Sequence, residues 1–514
     1  MKKNKNNIIA LLLSTLGFIY VVYYIFRAST NVVTSDYMRI VNSYLYDVSD
    51  LKYLKSMESI SRIPFTFLAR FINVKLFSYN VFFDKVLGAV GLFIFNFVTV
   101  KYILKTINTN FVKIISSIVI TFISFSLMSW EMILNGTGYA HFLTMGLIAI
   151  TYYLFDVFAT RRGDQIRRGE LHEPANRSGF PCNSALIVII VVTSLCFAGS
   201  YTVSYNCTLI FFSIVELIVI AMNKGTFSKH MSSDSKKSLI VTYIGIIIAS
   251  IICTALYMIS NNTGEALIPV GFQDISLMEL LKTNPAFPVR FILKSLASSI
   301  IGVETFDYAI NFGTITEKII YLFGIIYILI ILWTIFAVIV GRLVGGKHHE
   351  PEFVGASYTS PMLFPFMYVI YGLMNYALIF LARYKFVREE YGMTSRYALQ
   401  YMFLSIGIVI LLSIFIDKVF VEKKFTTKNI LMCLASAACI FVLYFGNVVT
   451  SCDEIYKADY RKIIYTNLVD IAKNSENYTD EELENFFEYH RDPEHIRNTF
   501  RILKEQSLNV FETK

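Results

Sequence analysis

The amino-acid sequence predicts an all-α fold, a polytopic transmembrane helical bundle of about eleven spans, and three observations predict it. Hydrophobic residues make up 55% of the 514 and charged residues only 16%, against about a quarter charged in a typical soluble domain. The mean hydropathy is +0.55. Apolar runs of about 20 residues recur along the chain, the length a helix needs to cross roughly 30 Å of hydrocarbon.

In order, the runs lie near residues 8–26, 83–104, 112–130, 138–157, 184–200, 205–222, 238–259, 317–340, 361–382, 397–416 and 429–448. The first lacks a small-residue cleavage site and leads into an amphipathic stretch, so it reads as an anchor and not as a removed signal peptide. Orientation follows from Lys and Arg, which are retained on the cytoplasmic side of short loops. The N-terminus carries Lys2, Lys3 and Lys5, and alternate loops carry Arg161, Arg162, Arg167 and Arg168, then Lys224, Lys229, Lys236 and Lys237, then Lys418, Lys423, Lys424 and Lys428. The intervening short loops at 130–138 and 201–205 contain neither Lys nor Arg. The N-terminus is therefore expected inside and, with an odd number of spans, the C-terminus outside.

The net charge of +8 reports this topology and contact with anionic headgroups, and no basic, aromatic-interleaved module points to nucleic acid. The seven cysteines are scattered, mostly within spans, with no CxxC pair, and read as packing residues.

Two units are expected, a membrane domain over 1–450 and a polar, helical tail over 451–514 on the outer side. Loop 27–82 contains an apolar segment, Ile63 to Phe77, with Arg70 and Lys75; it is too short and too charged to span and reads as an interfacial helix. Phe287 to Ile301, with Arg290 and Lys294, is similar, and the two are expected to frame one outer cavity. In the tail, Thr479 followed by Glu482 has the spacing of a capping box. The amphipathic end, Ile502 to Phe511, is expected to rest on the membrane or on the protein body.

Four places admit chemistry. Asp36, about ten residues beyond the first span, reads either as a general base near the headgroups or as the cap of a helix starting near Met38. Trp130-Glu131 lies in a short outer loop before Asn135-Gly136-Thr137-Gly138, and reads as ligand contact or as an interfacial Trp with a solvated neighbour. The loop Arg383 to Tyr397 carries Arg383, Lys385, Arg388 and Arg396 on a side where basic residues are not normally retained. A phosphate would explain them, since Arg presents a rigid fork of donors to such oxygens; pairing with Glu389 and Glu390, snorkelling to headgroups, or a topology shifted by one span would too. Arg62 sits where it could reach a lipid phosphate or a bulk headgroup. The chain lacks a GxxxxGK[ST] phosphate loop and an HExxH zinc motif. His348 and His349 read as solvated. Within the spans Asp84 and Lys85 lie at an edge and Glu216 near a middle, fewer ionisable groups than an ion-driven carrier needs.

This layout resembles the GT-C superfamily of polytopic glycosyltransferases, which use polyprenyl-phosphate sugars at the outer face of a membrane. The resemblance rests on Asp36 after the first span, on Ser61-Arg62-Ile63-Pro64-Phe65 running into the second span as in the protein O-mannosyltransferase-like branch, and on Trp130-Glu131 as an acidic second outer loop. Ser395-Arg396-Tyr397 and the terminal Leu503 to Phe511 are similar to features of an uncharacterised bacterial branch.

The resemblance implies a bacterial cell-membrane enzyme that transfers a sugar from a polyprenyl-phosphate donor, with inversion, to an envelope glycan, lipid or protein. Asp36 would be the base; Arg396 with Arg62 or Lys385 would hold the departing phosphate, with Tyr397 beside them, and Glu131 would orient acceptor or sugar. Many relatives pair two acids in the first loop, where Asp36 is followed by Tyr37, and Asp47 and Asp50 are distant in sequence. A divalent metal, possible in such a layout, is therefore not supported by this single acid. The competing classes are a transporter or flippase of lipid-linked glycans, with Glu216 on its path, and a non-catalytic assembly subunit.

The orientation is testable: in intact cells a membrane-impermeant thiol reagent should label a cysteine placed at residue 478 and spare one at 165. The reverse pattern would invert the topology.

Overall fold

A computed structural model describes residues 2–45, 48–49, 64–168, 183–196, 201–222, 233–261, 271–302, 314–344, 362–489 and 493–512. Arg62, Asp47, Asp50, His348 and His349 lie outside the described residues. Among those described, the chain is helical with no strand. The first half contains α1 (Lys2–Ala28), α2 (Tyr37–Tyr44), α3 (Pro64–Phe77), α4 (Val81–Thr106), α5 (Asn110–Ser124), α6 (Trp130–Leu134), α7 (Tyr139–Arg168), α8 (Asn183–Cys196) and α9 (Tyr201–Met222). The second contains α10 (Ser233–Asn261), α11 (Leu277–Thr283), α12 (Phe287–Ala297), α13 (Thr314–Val344), α14 (Leu363–Arg383), α15 (Ala398–Val421), α16 (Thr427–Lys473), α17 (Asp480–Phe487) and α18 (Pro493–Glu505).

Ten of these helices are long and apolar enough to cross a membrane, so the chain is an all-α, polytopic membrane bundle. The remaining expected span is α8, whose 14 residues rise only about 21 Å; residues 197–200, included in the expected run, lie outside the description.

Helix α15 is the hub. From Leu399 to Phe415 every residue is buried, as expected of a helix that is apolar all round. Close approach elsewhere depends on small residues: the position a Cβ would take on Gly91 of α4 is filled by the Phe142–Leu143 backbone of α7. Lipid chains supply no hydrophobic drive between helices, so packing and buried hydrogen bonds hold them. Asn96 donates to Ser14 (3.0 Å), Ser116 to Ser413 (2.7 Å) and Ser204 to Asn375 (2.5 Å).

The expected boundary near 450 falls inside one continuous helix, the 47-residue α16. Its backbone ladder is indifferent to the change from apolar to polar side chains, so it carries the chain beyond the bundle without a break. Its far end and the helices after it dock on the first long loop. Val33, Tyr37, Met38 and Val41 share a core with Leu483, Phe487, Ile496, Phe500 and Leu503. Asn42 donates to the His495 carbonyl (2.8 Å), Gln506 to that of Leu45 (2.8 Å), and the Asn509 backbone to that of Ser78 (2.8 Å).

Helix α3 coincides with the expected interfacial segment and leaves Leu68, Leu76 and Phe77 exposed. It packs on α4, whereas α12 packs on α13 and the segment 389–393, so the two are held by different neighbours. The capping box forms: Glu482 N–H donates to the Thr479 hydroxyl (3.3 Å) and Thr479 N–H to the Glu482 carboxylate (2.8 Å).

These Thr479 bonds hold the Glu482 carboxyl below its ordinary 4.5. A carboxyl held low in the folded state adds stability above its unfolded value and loses it as pH falls through the folded one. Hydrogen exchange across 480–487, measured relative to the intrinsic rate at each pH, should therefore speed up on acidification below 4.5. At neutral pH, Thr479→Ala should raise it about fivefold, the effect of losing a cap worth about 1 kcal/mol. Unchanged exchange in the variant would remove the cap from the tail's stability.

Candidate functional site

The end of the bundle that carries the tail also gathers three of the residues singled out in the sequence. Ser35 precedes α2 with a left-handed backbone (φ 50°), a conformation disfavoured for a residue with a Cβ, and its N–H is tied to the Phe487 carbonyl at 3.0 Å. The tail therefore fixes the turn from which Asp36 projects. Asp36 occupies the N-cap position of α2, but its side chain makes no capping bond. Its half-buried carboxylate instead acts electrostatically on His141 and Arg396.

The next residue locks this arrangement. Tyr37 donates to Asp84 of α4 (2.7 Å), which also accepts from Asn73 of α3 (3.1 Å). The Tyr37 hydroxyl fills the place where a Cβ on Gly136 would stand, so glycine at 136 lets α2 lie against the turn between α6 and α7. Lys85 donates to the Ser29 hydroxyl (2.9 Å) and the Thr30 carbonyl (3.3 Å). Asp84 and Lys85 are thus bracing groups.

Glu131 and Arg396 are brought together as partners. Arg396 Nε donates to Glu131 Oε1 at 2.8 Å, and its Nη2 reaches the same oxygen. Ser395 donates to Oε2 at 3.0 Å. The Arg396 side chain remains 40% exposed, with donors left for an anion beyond those spent on Glu131. Tyr397 is buried, and the Arg383 guanidinium lies over its ring at 5.7 Å and over Phe386 and Tyr391 at 5.8 and 5.9 Å.

Lys385 stands apart from this group. It lies 5.8 Å from the Phe272 ring, and its carbonyl accepts from Gln273 (2.9 Å). Glu389 and Glu390 are satisfied from α12, by Arg290 (2.5 Å to Glu389) and by Lys294, which reaches both acids (3.1 Å to Glu389). Burial pushes the Lys294 ammonium down, but its bonds to Glu390 and Glu389 outweigh this and hold it above the ordinary lysine range. The two acids are therefore engaged by cations from another loop, and the positive charge of Arg396 is answered by Glu131.

Three contributors were missed in the sequence. His141, in the first turn of α7, faces Asp36 and Arg396 with its ring 5.0 Å from that of Tyr201, and its buried Nδ1 has no hydrogen-bond partner among the described residues. A lone ionisable residue at a span boundary was the available signal. The other two are Arg461 and Glu454 of α16. Arg461 lies 3.2 Å from the centroid of the Trp130 ring and is bound in two-pronged fashion to the fully buried Glu454, both contacts 2.9 Å. Tyr24 of α1 donates to the same carboxylate at 3.2 Å. Asp36 and His141 carry lone pairs not taken up by the Glu131–Arg396 pair, and among the described residues no cluster of three His, Cys, Asp or Glu is present.

The site thus combines an uncapped carboxylate, an imidazole and a partly exposed guanidinium held by a carboxylate. This arrangement can accept a proton and stabilise an anion. No family model matches the chain, and no curated protein or solved structure matches it.

Removing one partner of a buried ion pair leaves an uncompensated charge. Arg461→Met should accordingly destabilise the protein by about 3–5 kcal/mol, and the double variant with Glu454→Gln should recover much of the loss. Thermal unfolding in detergent, arranged as a double-mutant cycle, checks this; additive losses would show that the pair is not coupled.

Proposed function

We propose that this protein is a GT-C-type glycosyltransferase of a bacterial cell membrane, with the site on the extracytoplasmic side. It transfers a sugar from a polyprenyl-phosphate donor to an envelope glycan, lipid or protein. The observation that carries the reading is the gathering of Asp36, Glu131 and Arg396 at one end of a membrane bundle, with Asp36 free of the capping role that would otherwise account for it.

In the proposed reaction the acceptor hydroxyl oxygen attacks the anomeric carbon as the carbon–oxygen bond to the lipid phosphate breaks, and the configuration inverts. Asp36 takes the hydroxyl proton. Hydrolysis of an ordinary glycoside needs a second carboxyl group to protonate the leaving alcohol; a phosphate departs as a stabilised anion and needs cationic contact instead. Arg396 supplies that contact, and Glu131 is its positioning residue. Tyr397, packed beneath Arg383, supports the same segment. Lys385, set against Phe272, is assigned no part in holding the phosphate, and Arg62 lies outside the description. A position at the end of an apolar helical bundle supports a lipid-borne substrate that arrives from the bilayer.

Purified protein in lipid vesicles, given a polyprenyl-phosphate sugar and envelope acceptors, should form a new glycosidic bond. Asp36→Asn should lower the rate by about 10²–10⁴, the range for a general base, with donor affinity kept. Arg396→Ala should weaken donor binding more than acceptor binding. Donor translocation without bond formation would replace the enzyme by a flippase, and equal, small losses in both variants would remove the catalytic assignment.

A further inference from the structure

At the opposite end of the bundle, where Asn6 donates to the Leu104 carbonyl (2.8 Å), a lateral groove of about 720 Å³ opens between α5, α15 and α16. Its volume falls within the roughly 300–1,000 Å³ of small-molecule sites. Val112 and Val119 form one wall, Cys433, Ala437 and Ile440 the other, and Val419 lies between them. The floor is closed by the hydrogen bond from Ser116 to Ser413, which satisfies the hydroxyls within the protein and leaves a lining that is otherwise almost wholly apolar. The deep end is shut by the edge-to-face contact of Phe122 on α5 with Tyr444 on α16, at 5.3 Å. From Ile430 to Tyr444 the groove follows α16 for about 21 Å of rise, enough to take a chain through one leaflet of a hydrocarbon core about 30 Å thick.

The mouth is basic. The turn between α15 and α16 and the start of α5 bring Lys418, Lys423, Lys424, Lys428 and Lys113 to this end, against Asp417 and Glu422. Both acids are engaged. Asp417 accepts from the backbone of Asn108 (3.0 Å) and Thr109 (2.7 Å), and Glu422 pairs with Lys424 (2.9 Å) and Lys418 (3.8 Å). Lys423 and Lys428 remain exposed. A chain-length apolar slot ending at an excess of cations complements a lipid with an anionic head.

We propose that this groove is a binding site for one anionic phospholipid, an acyl chain lying between α5 and α16 and its phosphate on Lys423 and Lys428. The site is separate from the Asp36 end and does not depend on the enzymatic reading.

The test is native mass spectrometry of the full-length protein released from nanodiscs of phosphatidylcholine and phosphatidylglycerol in equal amounts. One retained phosphatidylglycerol is expected, in excess over phosphatidylcholine by about fivefold or more, the preference one lysine near a surface confers. Ala437→Phe adds bulk at a position already exposed in the groove and should abolish retention of either lipid. The K423Q/K428Q variant should keep a lipid but lose the preference. Equal retention of the two lipids by the unaltered protein, or unchanged phosphatidylglycerol in both variants, would overturn the proposal. So would preferential retention of an added polyprenyl phosphate, or a dimer that disappears with Ala437→Phe.

Discussion

The buried pair between Glu454 and Arg461 is the interaction on which the tail-bearing end of the molecule depends. A carboxylate with no exposure is tolerable only if its charge is answered and its lone pairs are filled. Arg461 does both from two turns along the same helix, and Tyr24 adds a third donor from α1. The pair locks α16 to α1 as both leave the bundle, while the face of the guanidinium lies on Trp130, the neighbour of Glu131. A second clasp, Arg27 with Asp459 at 2.7 Å, is more exposed, and an exposed pair of this kind contributes little by itself.

With α16 fixed, the helices after it are delivered to α2. Their shared core is apolar and continuous, so its burial supplies stability, while the hydrogen bonds of Ser35, Asn42 and Asn509 supply register. The consequence is chemical as well as mechanical. A left-handed Ser35 orients the chain so that Asp36 sits at a helix start without spending its carboxylate there. A side chain free of local bonds at such a position is available to something else.

The spans were legible because hydrocarbon imposes a length and a composition that few other environments require, and the apolar runs met both. The capping box at Thr479 was legible because it is set by side chains three residues apart. The end of α16 was not: apolar composition stops near 448, but helical hydrogen bonding runs within the backbone and continues to Lys473. The pairing of Glu131 with Arg396 lay beyond reach, since 265 residues separate them in sequence. Each was readable as a charge needing an answer, and the basic loop stood out for its cations, yet its acids turned out to be engaged by Arg290 and Lys294. Reading Asp36 as a cap followed from its position alone, and position does not report where the carboxylate points. His141 was passed over because one imidazole in an apolar run is unremarkable until its neighbours are known.

The contact between the Ser35 amide and the Phe487 carbonyl also ties together parts of the chain that are made far apart in time. A chain emerges N-terminal end first, so the turn holding Asp36 is synthesised and threaded well before the segment that fixes it. Until residues 480–512 have followed α16, the apolar face of α2 lacks the cover those residues supply and the Ser35 amide lacks the Phe487 carbonyl. The arrangement around Asp36 is therefore completed late, when insertion of the intervening helices is already done. A chain halted before that point would carry the acid but not the backbone geometry around it, and would leave the apolar face of α2 uncovered.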